Sequence, residues 1–244
     1  MTNTTTDLTA HAAFRLYEVA YENDALVQGA WHTEQDGRQL ACALGTLGPK
    51  ISSPADCPAT VMPRWLADLV PGFFDRQKFE DAKAWGLEFY KALDRISGNV
   101  PFSVIHDWHA NTVCQMGIDA AAKRGRDTTP HVALQAMHKR ALAGEKISAD
   151  EWRPVLRAVY AYAYADADAD AYAYAYAYAA AAAAADADAY AYADADAYAY
   201  AYAYADAYAD AYAYAYADAY AYADAWKILA NGMVAALNRV EVSA

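Results

Sequence analysis

From Tyr160 to Asp224 the chain contains no lysine, arginine, glycine or proline. A stretch without cations cannot engage a phosphate backbone, and one without Gly or Pro carries none of the residues that mark tight turns. Cysteine is scarce as well. Cys42, Cys57 and Cys114 form an odd set with no CxxC spacing, which reads as reduced thiols in a cytoplasmic protein rather than a disulfide framework. The opening residues, MTNTTTDLTAH, lack the basic and apolar segments of a secretory signal, and no apolar run reaches the roughly 20 residues that a spanning helix needs. A glycine-rich phosphate loop, GxSxG and HExxH are all missing, so no cofactor is implied and none is expected.

What fills the stretch is alternation. Its odd positions hold only Ala, and its even positions hold nineteen Tyr, eleven Asp and three Ala. Strict alternation is the written form of a strand, yet Ala is the best helix former and is depleted in strands. A strand of this length would be far beyond the usual 3 to 10 residues, and no corner is available to fold it back. Helix is therefore the expectation, and with it an all-α protein: a small helical domain over residues 1–147, a long low-complexity Ala/Tyr/Asp helix over 148–225 and a helical anchor over 226–244. On such a helix Tyr200, Tyr204, Tyr208, Tyr212, Tyr216 and Tyr220 fall four apart and form an aromatic ridge suited to a protein partner or a second copy.

Charge separates along the same boundary. The formal net charge is −12, of which the alternating stretch supplies −11. An acidic segment repels nucleic acid and anionic lipid, so neither is an expected partner. Nor can it imitate DNA: eleven Asp along a helix of roughly 100 Å give far fewer charges than one per ~1.7 Å of duplex.

Residues 1–159 read as helices punctuated by Pro and Gly. Leu8, Ala12, Leu16 and Val19 recur at helical spacing and predict a helix over 8–22 with that stripe inward. A second helix is expected over 37–47, stopped by Gly48 and Pro49, then a loop through the four prolines of 49–63. A short helix follows, closed by Pro71 and Gly72. Trp85, Phe89, Leu93 and Ile96 predict an amphipathic helix over 79–96 whose stripe is core. Val113, Gly117 and Ala120 mark another, as does HVALQAMHKRAL. Ser148 and Glu151 have capping-box spacing, and Pro154 predicts a kink or restart near Arg153. Near the end, Trp226, Leu229, Met233, Leu237 and Val240 form a coiled-coil-like seam.

The string most like an active site is SVIHDWHAN. His106, Asp107 and His109, with Asp119 further on, resemble the metal-binding pair of HD-type phosphohydrolases, which would make His106 and Asp107 catalytic and all three metal ligands. His131 and His138, seven apart beside Lys139 and Arg140, read as surface residues.

The stretch RGRDTTPHVALQAMHKRALAGEKISADEWRPVLRAVYAYAYADADA resembles immunity proteins of bacterial toxin systems, with a short helix, a Gly-Glu-x-Ile-like turn and an Ala-rich helical tail. That resemblance covers residues 124 to about 175 and implies a toxin-binding role. The leading expectation is a non-catalytic interaction or self-assembly protein. An immunity-like protein and an HD-like metal hydrolase stand as alternatives.

Overall fold

The computed structural model describes residues 8–164 and 221–242. They are mostly helical, with one two-stranded sheet. The expected long Ala/Tyr/Asp helix and its tyrosine ridge lie outside the described residues, apart from the ends of the stretch that belong to flanking helices. Chain contacts divide the protein into two units, residues 1–104 with 226–244, and residues 105–225.

The first unit begins with α1 (Ala10–Glu22), where Thr9 caps the helix by accepting from the Ala12 N–H at 3.2 Å. The predicted helix is there, but its inward face is different. Ala10, Ala13 and Tyr17 are buried, while Leu16 and Val19 are about half exposed. Tyr17 decides the rotation. Its ring lies 5.1 Å from that of Tyr90, its hydroxyl donates to the Lys83 carbonyl at 3.0 Å, and it occupies the space where a Cβ on Gly86 would stand, 2.1 Å from the Tyr17 hydroxyl oxygen. Gly86 is thus the socket of α3 (Phe79–Arg95) into which α1 locks.

The helix expected over 37–47 is absent. β1 (His32–Gln35) and β2 (Arg38–Ala41) pair antiparallel, with Gln35 opposite Arg38, and a 3-10 turn follows at Gly45–Leu47. Asp36 and Gly37 between the strands both have positive φ, 52° and 73°, as the favoured two-residue hairpin turn demands. The loop over 49–63 holds only a 3-10 turn, Pro54–Asp56, pinned by Ser52 and Ser53 donating to the Asp56 carboxylate.

Pro71 does not end its helix either. α2 runs Arg64–Asp75 through it, burying Val70, Phe73 and Phe74. Burial of two phenylalanines beyond the proline, at roughly 1.5–3 kcal/mol each, offsets the ~3 kcal/mol or more that an interior proline costs. In α3 the stripe Trp85, Phe89, Leu93 and Ile96 is buried as expected. The last helix, α8 (Ala221–Asn238), sends Trp226, Leu229, Met233 and Leu237 into the core of the first unit.

The second unit is built around a helix that changes pitch. α4 (Ser103–Trp108), which begins two residues before the unit boundary, passes into a π-helical turn, His109–Val113, and then into α5 (Cys114–Lys123). Against the turn and α5 packs α6 (Thr129–Leu142), and against α6 packs α7 (Ala149–Tyr164). The capping box forms: Ser148 Oγ and N–H both donate to the Glu151 carboxylate, and the Glu151 N–H returns to Ser148 Oγ at 3.3 Å. Pro154 causes no restart, since α7 is continuous across it. Among the described residues no helix is long and apolar enough to cross a membrane.

Candidate metal centre

An α-helix advances about 100° per residue, so residues five apart point roughly 140° away from each other. His109 and Cys114 are five apart and nonetheless share a site. The turn between them is widened so that the Cys114 N–H bonds to the His109 carbonyl, which stacks Cys114 over His109. Such π turns are rare and recur at functional sites. The third member, His138, comes from α6. One potential ligand atom from each of His109, Cys114 and His138 lies within 4.8 Å of the other two.

Three aromatic contacts hold the imidazoles in place. The His109 and His138 rings stack at 4.5 Å with 22° between planes, and Trp108 meets His109 edge-on at 5.2 Å. Trp152 of α7 lies 5.0 Å from the His138 ring. Next to the triad, His106 Nδ1 sits 3.0 Å from His138 Nδ1.

All three donors are buried, His138 being the most accessible at 9%. Burial pushes the His109 imidazole down to about 3, and the nearby His106 adds to the effect. It holds His138 well below the usual histidine range, again with help from His109 and His106, and lowers His106 too. The imidazoles are therefore neutral at neutral pH, each with one lone pair for a metal. The Cys114 thiol is pushed up to about 12 by burial, against a smaller opposing pull from Lys139, so a metal must displace its proton.

Donor chemistry selects the ion class. Tetrahedral zinc, with Zn–N about 2.0–2.1 Å and Zn–S about 2.3 Å, separates its ligands by roughly 3.3–3.6 Å, so these donors need to close by at most about 1.5 Å. Two imidazoles and a thiolate suit zinc and neighbouring transition ions, whereas magnesium and calcium demand oxygen.

The sequence-derived candidates separate in space. His109 joins the donor group and His106 adjoins it, but Asp107 does not belong to it. The Asp107 carboxylate accepts from Asn111 Nδ2 at 3.1 Å, and Asp119 accepts from Gln115 at 2.9 Å on the exposed side of α5. His131 and His138, read as surface residues, are both buried, because the flank of α6 that carries them is the packed one. Cys114 and His138 were missed as ligands: spacings of 5 and 24 residues from Cys114 match no familiar ligand pattern, and only the π turn and the α5–α6 packing unite them. Tyr200, Tyr204, Tyr208, Tyr212, Tyr216 and Tyr220 lie outside the described residues. The chain matches no family model, no curated protein and no solved structure.

Proposed function

We propose that the chain is a non-catalytic interaction protein whose second unit is stapled by a zinc-class ion on His109, Cys114 and His138. The observation that carries this reading is the buried His–Cys–His group, assembled across a π turn and a neighbouring helix. Three protein donors leave one position for water or a small ligand. A substrate seeking that position would have to pass the side chains that keep every donor under a tenth exposed, which favours a structural metal over a hydrolytic one.

The ion also sits at the root of the alternating stretch. α7, whose Trp152 contacts the ligand His138, continues into its first residues. In this reading the metal-bound unit presents the stretch, and the tyrosines from Tyr200 to Tyr220 supply the contact surface for a protein partner or a second copy.

Cobalt(II) tests the staple. Titration into the metal-free chain should give a saturable thiolate-to-cobalt charge-transfer band and tetrahedral visible absorption at one equivalent, both lost in Cys114→Ala. Absence of the band in the unaltered chain would remove the metal. Light scattering tests the surface: replacement of the six ridge tyrosines by Ala should lower the self-associated fraction, and a strictly monomeric unaltered chain at high concentration would remove the self-assembly arm.

A further inference from the structure

We infer that His106 is a positioning residue for this metal: it accepts a hydrogen bond from the Nδ1–H of His138 and so commits His138 to offer Nε2 to the ion. The inference rests on the metal reading of the site and adds to it a tautomer and a second layer.

The argument is one of proton counting. A neutral imidazole carries one N–H and one lone pair, on different nitrogens. His106 Nδ1 and His138 Nδ1 stand 3.0 Å apart, so one of the two nitrogens holds the shared hydrogen. Were it on His106, the His138 proton would sit on Nε2, and His138 would have no lone pair left for a metal. As a ligand whose Nδ1 is engaged, His138 must therefore carry its hydrogen on Nδ1 and donate it, and His106 must carry its own on Nε2. Metal-bound histidines generally hold their second nitrogen in this way, which fixes the ring and strengthens the ligand.

The acceptor is itself held. Trp152 lies nearly parallel to the His106 ring, 13° between planes at 6.1 Å, while also touching His138. Trp152 is placed by the start of α7, where Glu151 closes the capping box with Ser148 and accepts from Arg140, two residues beyond His138. A local sequence signal, Ser-x-x-Glu, thereby reaches the metal ligand through one aromatic ring.

The test compares the full chain with His106→Phe, which keeps a ring against Trp152 but removes the acceptor nitrogen, and with His106→Asn, whose amide oxygen can stand near the lost Nδ1. Zinc affinity is measured by competition with a chromophoric chelator, and two-bond proton–nitrogen correlation spectra read the His138 tautomer with and without zinc. Expected are Nδ1-protonated, Nε2-bound His138 in the zinc-loaded chain, an affinity loss of about 10- to 100-fold in His106→Phe, and recovery of most of it in His106→Asn. Unchanged affinity and tautomer in His106→Phe, or zinc on His138 Nδ1, would overturn the assignment while leaving the metal site standing. Failure of the unaltered chain to bind zinc would overturn both.

Discussion

With zinc in excess, the second unit should unfold at least roughly 8 °C above its transition in chelator. A ligand at a thousand times its dissociation constant stabilises the native state by about 4 kcal/mol, and each kcal/mol moves the midpoint of a chain of this size by at least about 2 °C. The sign of the mutant effect separates a metal centre from a polar cluster. His109→Leu removes the ligand nitrogens and keeps the buried site filled with an apolar side chain of similar volume, the kind of exchange that cores tolerate best. Its metal-free transition should stay within about 1 kcal/mol of the unaltered chain, and its zinc-dependent rise should vanish. A histidine present only for hydrogen bonding would behave in the opposite way, costing stability with or without the ion. Circular dichroism melts of both chains in zinc and in chelator read the difference, and coincident curves for the unaltered chain would dispose of the staple.

That site was half legible. SVIHDWHAN points to His106, Asp107 and His109 because an adjacent His-Asp pair with a second His nearby resembles an HD-type metal site, and of these only His109 joins the donor group. Cys114 is not legible as a partner of His109, because on a regular helix residues three and four apart are neighbours and residues five apart are not. The π turn breaks the rule at His109, and nothing in the letters HANTV announces it. Beside Lys139 and Arg140, His138 reads as a surface residue, yet a helix buries a stripe rather than a segment, so charged neighbours say nothing about the face one residue away.

The Asp36-Gly37 pair between HTEQ and RQLA is the strongest short-range mark of a hairpin, and it outweighs the Gly48-Pro49 stop from which a helix over 37–47 is expected. On α1 the apolar stripe was real, but Ala13 and Tyr17 won the inner face. A single large aromatic with a glycine socket opposite outweighs two aliphatics that have none. The helix over Phe79–Arg95 is legible in the sequence because its periodicity and its burial agree.

Trp226→Ala should cost the first unit about 3–5 kcal/mol, the usual range for emptying a buried Trp site. Trp226 is 1% exposed, meets Phe73 edge-on at 6.3 Å and lies under the Arg76 guanidinium at 4.8 Å. One turn on, the Ala230 carbonyl accepts from Trp85 Nε1 at 2.9 Å, and near the end of the helix the Leu237 carbonyl accepts from Arg95 at 2.7 Å, which answers one of the orphan acceptors there. These contacts join the last helix to α2 and α3 across some 140 residues of chain, so the alternating stretch is bounded by folded structure on both sides. Lys227 on the same helix pairs with Asp81 at 2.7 Å, but at the surface, where such pairs contribute 0–1 kcal/mol. Urea titration followed by tryptophan fluorescence should therefore place Lys227→Ala within about 0.5 kcal/mol of the unaltered chain and Trp226→Ala several kcal/mol below it. A Trp226→Ala chain that unfolds at the same urea concentration would mean that the last helix rides on the first unit without supporting it.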